Sequence, residues 1–393
     1  MSFGPKFGLF VALFMAMSSS MALSQPRDGA LIDGEFRDAL MEVERGEFDT
    51  AIRHLSALAN ETHAPRIYLE LARALYLNGK DEDARKLFIY IYENNPPVDV
   101  KATILTFIDR IDMRRGKFAF GIRGERASNP LSEPTSSVFQ FNGMTLTNAN
   151  APQYQDSMGI VYSARYEKQF TENYDVRSAA SIRDLAGSSA DYLSGDVSLG
   201  YHVSTAPLEI RGGIEFMNMK DRSYKMPYLE TSYQLPLTDR MTLQPRIQIG
   251  SINHEAGYGP SGQSYRLSLM SAYAISPAKK FVTGPQIEIR NVGFDELSYR
   301  SAGWSFASDF GFQLLSISTF TFPSLTEFNA TDPFWGVRRV DRSIRGSVDF
   351  SSDRIRYKGY MPILSFSCEQ TQSNIDYYTT NNCTVGLGLR DIF

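Results

Sequence analysis

The chain has 393 residues, with 40 Lys and Arg against 44 Asp and Glu, for a formal net charge of −4. This balance excludes the broad cationic surface of a nucleic-acid-binding protein, so nucleic acid is not an expected partner. A hydrophobic content of 42% is too low for a bundle of membrane-spanning helices and too high for a disordered chain. The 26 Phe, 21 Tyr and 29 Gly favour an all-β chain, and by average composition this chain resembles a soluble protein.

Residues 1–24 have the pattern of a secretory signal peptide. Lys6 supplies a positive charge, residues 7–17 are mostly apolar, and small residues precede Gln25. Cleavage is expected before Gln25 or after Ala22. The apolar run is too short to span a bilayer stably, although a membrane-anchored N-terminal helix is the alternative. We therefore expect an exported chain, and no later run of about 18 apolar residues predicts a membrane helix.

Residues 28–113 place apolar side chains at helical spacing. The segment repeats itself at a constant offset, and the aligned pairs include Ala39 with Ala72, Gly46 with Gly79 and Ala51 with Ala84. The pattern resembles a tetratricopeptide repeat (TPR), in which small residues let paired helices approach and a Gly permits the tight turn. A short TPR-like helical domain is predicted over residues 25–116, and a plain helical bundle is the alternative.

From Lys117 onward apolar residues alternate with polar ones, as in strands with two different faces. One such segment places these residues on one face: Met241, Leu243, Pro245, Ile247 and Ile249. In a soluble sandwich the apolar face would pack inward. In an outer-membrane barrel the apolar face would contact lipid and the polar face would line the lumen. The alternation alone does not separate the two architectures.

Strand number, connection lengths and the last residue favour the barrel. The alternation divides residues 117–393 into 14 segments, an even number, and most are long enough to cross a bilayer at a tilt. Short turns alternate with longer connections, which include residues 128–155, 253–262, 323–338 and 369–380. Phe393 resembles the recognition signal of barrel-assembly machinery. The predicted fold is a short TPR-like helical domain, placed in the periplasm, followed by a 14-stranded antiparallel transmembrane β-barrel over residues 117–393.

The polar face of the predicted strands carries many charges, which the barrel would direct into its lumen. The candidates are Arg123, Glu125, Arg165, Glu209, Arg211, Glu215, Arg246, Arg266, Glu288 and Arg290. They could form structural ion pairs, line a hydrated conduit, or do both. Both roles are compatible, because a barrel of about 14 strands is wider than the eight-stranded barrels that side chains fill.

The two cysteines, Cys368 and Cys383, are predicted at the top of strands 13 and 14, on either side of the last outer loop. In an exported protein they are expected to form a disulfide. The four histidines lack the spacing of metal ligands. The G-x-G-x-x-G pattern at residues 257–262 lies between two strands and not before a helix. No nucleophile, base and oxyanion site is recognisable, so we expect neither enzymatic activity nor a cofactor nor a metal site.

The C-terminal part of the chain resembles a known family. Residues 332–341 read Asp-Pro-Phe-Trp-Gly-Val-Arg-Arg-Val-Asp. This is similar to the Trp-Gly-x-Arg-Arg-x-Asp segment that enters strand 12 in the surface lipoprotein assembly modulators, called Slam. The matching residues here are Trp335, Gly336, Arg338, Arg339 and Asp341. Residues 362–366, Ser373-Asn374 and Tyr377-Tyr378 resemble the family's final hairpin.

The resemblance implies protein export. Slam proteins are outer-membrane translocons of Gram-negative bacteria that deliver surface lipoproteins or related secreted effectors across the outer membrane. The implied partners are a cargo lipoprotein or secreted protein, periplasmic chaperones, the barrel-assembly machinery and outer-membrane lipid. The helical region is shorter than in many family members. A TPR-plus-barrel exopolysaccharide exporter and a general diffusion porin are the alternatives.

Overall fold

The computed structural model describes residues 29–141, 144–147, 157–186, 190–219, 223–254, 259–352, 354–356 and 359–392. The chain divides into two compact units, one ending at Leu87 and the other beginning at Phe88. The predicted signal peptide, residues 1–24, and the terminal Phe393 lie outside the described residues. None of the described helices is long and apolar enough to cross a membrane.

Five helices open the described part of the chain: α1 (Gly29–Glu44), α2 (Phe48–Thr62), α3 (Pro65–Leu77), α4 (Asp81–Glu93) and α5 (Val98–Arg115). The self-matching residues occupy equivalent places. Gly46 and Gly79 each follow a helix and have φ angles of 78° and 72°, which a side chain would strain. Ala51 and Ala84 are fully buried, so small side chains allow the helices to approach closely.

Fourteen long strands follow: β1 (Lys117–Ala127), β2 (Ser157–Gln169), β3 (Tyr174–Leu185), β4 (Tyr192–His202), β5 (Leu208–Met219), β6 (Tyr224–Tyr233), β7 (Met241–His254), β8 (Gly262–Ser276), β9 (Lys279–Val292), β10 (Tyr299–Gly311), β11 (Ser316–Thr331), β12 (Arg338–Ser351), β13 (Tyr360–Ser373) and β14 (Thr380–Asp391). The short strand Leu235–Thr238 also pairs with β7. The sheet therefore holds fifteen strands, of which fourteen form the ring.

The ring is closed and antiparallel. Each long strand pairs with its neighbours in the chain, and β14 returns to pair with β1 from Ala127–Thr384 to Gly121–Arg390. Closure gives every strand of the ring two partners and removes the free sheet edges. The predicted fold class, helices followed by a 14-stranded antiparallel barrel, is confirmed. We call the end where α5 contacts β1, β2 and β10 the helix end, and the opposite end the distal end.

Two of the predicted long connections are wrong. β11 continues to Thr331 and β13 to Ser373, so the connections that follow them are only residues 332–337 and 374–379. The first connection contains a two-stranded hairpin, Val138–Phe141 with Met144–Thr147, at the distal end.

Pro323 is the residue at which the sequence analysis ended the strand and began a long connection. Proline has no N–H to donate, so it usually interrupts or borders a strand. In the structure it stays within β11 and pairs with Ile344 of β12. On its other side the pairing with β10 is interrupted between Gly303 and Phe306. The missing donor therefore falls where the ladder is already open.

Large apolar side chains cover the outer face of the barrel. Examples with much exposed surface are Val197, Leu199, Ile214, Leu229, Ile247, Ile249, Leu267, Leu269, Ile344, Leu364, Val385 and Leu387. A water-soluble protein does not leave so large a continuous apolar surface exposed. A closed sheet with this exterior is suited to lipid, because every strand of the ring pairs with a neighbour on both sides and no sheet edge is exposed. The barrel is therefore a membrane-spanning one.

Cys368 and Cys383 form the predicted disulfide. They pair directly across β13 and β14. Their predicted position beside the last loop is wrong, because both strands continue beyond them toward the distal end. The disulfide therefore links two residues that the ladder already holds side by side.

The double variant Cys368→Ser with Cys383→Ser is expected to lower the free energy of unfolding by about 3 kcal/mol, because the bond closes a loop of 15 residues in the unfolded chain. Denaturant unfolding of the refolded barrel in detergent measures this. Reduction of the wild type should reproduce the loss and leave the variant unchanged. Equal midpoints for variant and oxidised wild type would contradict it.

Candidate functional site

Contacts between strands that are not neighbours show which side chains point into the barrel. Arg183 of β3 reaches Glu125 of β1, with Nε and Oε1 2.5 Å apart. Arg266 of β8 reaches Glu215 of β5, with Nη1 and Oε2 3.5 Å apart. Such pairs meet only on the concave side of a closed sheet. Side chains alternate between the two faces along a strand, so every second residue counted from these four also points into the lumen.

Glu125 is the centre of the first charged cluster. Its side chain is 2% exposed. It accepts hydrogen bonds from Arg123 at 3.1 Å and Arg183 at 2.5 Å. Two guanidinium groups thus compensate a buried carboxylate that would be costly alone. Arg123 and Glu125 were predicted from the sequence as lumen residues and Arg183 was not, although the alternation of side chains along β3 marks it as inward-facing.

Two glycines of β14 make room for this cluster. A Cβ at Gly386 would lie 2.6 Å from Cδ of Arg123, and one at Gly388 would lie 2.5 Å from the carbonyl oxygen of Ile122. Real Cβ atoms do not approach other atoms so closely, so a larger side chain would displace Arg123 or β1. These glycines therefore allow a large inward arginine beside the β1–β14 seam.

A second cluster lies near the helix end of β3, β4 and β5. Arg211 donates to Asp175 at 2.6 and 2.9 Å and to Glu209 at 2.5 and 2.8 Å. His202 lies 2.7 Å from Asp175, and Arg177 is 3.4 Å from the same carboxylate. The side chains of Asp175 and Arg211 are only 1% and 6% exposed. Arg211 and Glu209 were selected from the sequence, whereas Asp175 and His202 were not.

The ligand atoms of Asp175, His202 and Glu209 lie within 4.8 Å of one another, a spacing compatible with a metal ion. The Arg211 guanidinium, however, donates to both carboxylates. A metal ion would have to displace this buried cation. The cluster is therefore best described as an ion-pair network that links three strands.

A third cluster crosses the lumen between β5 and β10. Arg266 lies between Glu215 at 3.5 Å and Glu288 at 3.6 Å. Each carboxylate also accepts a tyrosine hydroxyl, from Tyr224 to Glu215 at 2.7 Å and from Tyr299 to Glu288 at 3.0 Å. The three charged residues were selected from the sequence. The two tyrosines were missed because a tyrosine at an inward position has no charge to mark it.

The remaining lumen candidates have looser contacts. Arg165 lies 3.8 Å from Glu167 and is mostly exposed. Arg246 lies 3.5 Å from Glu230. The guanidinium of Arg290 lies 5.9 Å from the ring centre of Tyr299. Together with the three clusters, these residues give the interior a polar wall in which positive and negative groups alternate.

Helix α5 lies at the helix end of the barrel. Near its start, Asp99 accepts hydrogen bonds from the Ser276 hydroxyl at 2.6 Å and the Ala278 N–H at 3.3 Å, at the β8–β9 turn. Near its end, Asp109 pairs with Lys117 of β1 at 2.6 Å. β8 and β1 stand about halfway around the ring from each other. An 18-residue helix is about 27 Å long, so α5 crosses the mouth of the barrel.

The helix lines an open cavity of about 1220 Å³ that extends into the lumen. The α5 side of the cavity includes Lys101, Leu105 and Asp109. The barrel side includes Arg165, Asp196, Glu215, Tyr224, Tyr228 and Arg390. The lumen is therefore wide enough to hold a substantial ligand or a segment of chain, but α5 obstructs one entrance.

The Slam-like residues 332–341 lie at the distal end, in the turn between β11 and β12 and in the first residues of β12. Asp332 accepts hydrogen bonds from the N–H groups of Phe334 at 2.9 Å and Trp335 at 3.0 Å. Gly336 completes the turn with a φ of 69°, which only glycine adopts without strain. The spacing from Asp332 to Gly336 is therefore explained by the geometry of a tight turn.

Tyr378 connects this turn to the next one. Its hydroxyl donates to Asp332 at 2.8 Å. Burial opposes ionisation of Asp332, but the bonds from Trp335 N–H, Tyr378 and Phe334 N–H outweigh it, so the pKa of Asp332 lies below its ordinary value. Burial and the bond to Asp332 raise the pKa of Tyr378 to about 12, so its hydroxyl stays protonated and donates.

Trp335 lies in an aromatic cluster that gathers the distal connections. Its ring centre is 6.0 Å from that of Phe139 and 5.7 Å from that of Phe141, both in the hairpin of the first connection. Tyr377, from the last connection, lies 5.9 Å away. Edge-on and tilted contacts at these distances are favourable. The cluster therefore holds the first connection against the last two.

Arg338 and Arg339 point to opposite faces of β12. Arg339 pairs with Asp341 at 2.6 and 3.0 Å. Its guanidinium lies 3.6 Å from the ring centre of Tyr378 and 4.5 Å from that of Phe328. Arg338 faces outward and lies 3.5 Å from Glu327. Arg339 thus packs against the aromatic rings, whereas Arg338 lies on the outer surface.

No family model and no curated protein matches the chain. Solved structures with a similar chain course include OprD of Pseudomonas aeruginosa, at 11% identity and a TM-score of 0.38, covering 70% of this chain and 94% of that one. The outer membrane channel DcaP of Acinetobacter baumannii has 8% identity and a TM-score of 0.40, covering 70% and 96%. A BenF-like porin of Pseudomonas fluorescens has 9% identity and a TM-score of 0.39, covering 71% and 99%.

Glu125→Gln is expected to cost about 3 kcal/mol of unfolding free energy, because it leaves Arg123 and Arg183 without their shared counter-charge. Denaturant unfolding in detergent measures the loss. The matched control is Glu167→Gln, whose partner Arg165 is 68% exposed, so a loss below about 1 kcal/mol is expected. Equal losses for the two variants would refute the compensation.

Asp332→Asn is expected to lower the thermal midpoint at pH 7. The lowered pKa means that the ionised carboxylate stabilises the fold above the ordinary value of 3.8, and that this contribution is lost as the pH falls through the folded-state pKa. The difference between wild type and variant should therefore shrink below about pH 4. Asp295→Asn, in the exposed turn before β10, is the control and should leave the thermal midpoint at pH 7 unchanged.

Proposed function

We propose that the chain is an outer-membrane translocon that exports a surface lipoprotein or a related secreted protein. The apolar exterior and polar interior are those expected of an outer-membrane barrel in a Gram-negative bacterium. In this proposal the N-terminal helices lie in the periplasm, receive the cargo or a chaperone that carries it, and the barrel-assembly machinery inserts the chain into the membrane.

The observation that carries the proposal is α5 across the mouth of the lumen. A general diffusion porin works as an open aqueous channel. Here a helix is attached at Asp99 to the β8–β9 turn and at Asp109 to Lys117 of β1. Passage through the lumen therefore requires α5 to move. Such a gate fits a substrate that is delivered to the barrel better than one that diffuses through it.

The Slam-like residues give a second line of support. Asp332, Gly336 and Trp335 build one turn, and Arg339 with Asp341 fixes its contact with the last connection. These residues hold the first connection over the distal end through Phe139 and Phe141. In the proposed export the distal end is the exit of the lumen. Residues 332–341, which resemble the Slam segment, organise the connections at this exit, and this supports the proposal.

The lumen wall suits the passage of a polypeptide of mixed charge. Glu125, Asp175 and Arg266 each have partners of opposite sign within 3.6 Å. Paired charges keep the wall hydrated without a strong net field that would retain a segment of either sign. The proposed transport through the lumen involves no covalent step.

The alternative of an exopolysaccharide exporter would place free aromatic and acidic groups along the lumen. Tyr224, Tyr228 and Tyr299 do lie there. Their hydroxyl groups, however, donate to Glu215 at 2.7 Å, Asp196 at 2.8 Å and Glu288 at 3.0 Å. These polar groups are thus engaged with one another, which favours a structural role over a sugar track.

Deletion of the gene tests the export proposal directly. Surface-exposed lipoprotein and secreted protein should decrease, while extracellular polysaccharide stays unchanged. Surface labelling of intact cells and analysis of the medium measure both. Loss of the polymer with normal surface protein would instead establish the polysaccharide alternative, and loss of only small-solute uptake would establish the porin.

Asp99→Ala with Asp109→Ala is expected to raise the conductance of the reconstituted barrel severalfold, because it removes the contacts of α5 with the β8–β9 turn and with Lys117 of β1. Planar-bilayer recordings measure the conductance. The control is Thr103→Ala with Thr106→Ala on the same helix, since both hydroxyls bond only to the backbone of α5. Equal conductance of the two double variants would contradict gating by α5.

A further inference from the structure

The outer face of β10, β11 and β12 carries a group of charges near the distal end. The group consists of Arg300, Arg338 and Arg342 with one acid, Glu327. We call it the basic rim. The arginines occupy the same alternate positions as the outward apolar residues Leu325 and Ile344, so they point away from the lumen. The basic rim therefore belongs to a surface that the lumen clusters do not explain.

The strand registers place the basic rim in one patch. Arg300 of β10 is paired with Glu327 of β11, and Arg342 of β12 is paired with Leu325 of β11. Arg300 and Arg342 thus flank β11 on both sides. At ordinary strand spacing and rise their Cβ atoms are about 12 Å apart. Two arginine side chains over that distance can converge on one group between them.

The charges of the basic rim are not balanced. Arg338 lies 3.5 Å from Glu327 and also donates to the carbonyl oxygen of Phe328. Arg300 and Arg342 are exposed, and neither has an ion pair or side-chain hydrogen bond with any residue that the structure describes. The patch therefore has an excess of positive charge and two guanidinium groups with unused donors.

The position of the basic rim along its strands indicates which part of the lipid it contacts. The next outward positions toward the helix end are Ala302, Leu325 and Ile344, and the last two have 41% and 50% of their surface exposed. These residues belong to the apolar outer face that contacts lipid tails. Arg300 thus stands one outward position beyond these residues, and Arg342 is paired with Leu325 at their edge. From both places a long arginine side chain reaches the level of the lipid headgroups.

We propose that the basic rim binds the phosphate of a lipid headgroup in the leaflet at the distal end, and specifically a phosphorylated glycolipid. Guanidinium groups bind phosphate with two parallel hydrogen bonds, and the partly dehydrated interface strengthens them. Arg300 and Arg342 make the direct contacts, while Glu327 orients Arg338. This inference rests on the orientation in the proposed function, with the helices in the periplasm, but not on what passes through the lumen.

The test uses the full-length protein in nanodiscs or detergent with added lipopolysaccharide, in phosphorylated and enzymatically dephosphorylated forms. Native mass spectrometry counts the bound lipid. The variant Arg300→Ala with Arg342→Ala should bind the phosphorylated form at least about tenfold more weakly than wild type. The wild type should lose a similar factor when the phosphates are removed, and its binding should weaken as salt is added.

The control is Lys225→Ala with Lys279→Ala, which removes two outward-facing charges elsewhere on the barrel and should leave binding unchanged. Heat-modifiable electrophoretic mobility establishes that each variant is folded. Equal binding by the arginine variant and wild type would overturn the proposal. Equal binding of both lipid forms would overturn the assignment of phosphate, and an equal loss in both double variants would show a nonspecific charge effect.

Discussion

Closure of the sheet is the constraint on which the rest of the structure depends. In hydrocarbon an unpaired backbone N–H or C=O costs several kcal/mol, so a sheet that spans a membrane cannot keep an edge. Pairing of β14 with β1 removes that edge. Gly386 and Gly388 contribute to it, since any Cβ there would collide with Arg123 or with the backbone of β1. Closure also separates an inner face from an outer face. Alternate residues of each strand therefore face the lumen and the lipid.

Once the ring is closed, the inward charges must compensate one another. Partners come from strands that are neighbours and from strands that are not, as with Arg183 and Glu125 or Arg266 and Glu215. These contacts connect distant parts of the ring, and each buried carboxylate has at least one guanidinium beside it. The inward ion pairs thus stabilise the barrel and also line its lumen. Removing one partner of a pair therefore lowers the stability and changes the charge of the lumen wall.

The two ends of the barrel are organised differently. At the helix end, α5 is attached at two points about half a circumference apart and obstructs the mouth. At the distal end, the aromatic cluster around Trp335 holds the first connection against the last two. Under the proposed function, a lumen restricted at the helix end and organised at the distal end suits transport of a substrate that is delivered to the barrel. The basic rim adds a contact with the surrounding leaflet.

The sequence by itself determined the order of the elements, the number of strands and the residues that share a face, because these follow from local periodicity. It also indicated the disulfide. It placed the ends of β11 and β13 too early. For β11 the reason is that the tolerance of Pro323 depends on a gap in the pairing with β10. Only the tertiary structure decided that α5 crosses the mouth, that Asp175 and Tyr224 join the charged clusters, and that Arg338 and Arg339 diverge. Those outcomes depend on which distant strands closure brings together.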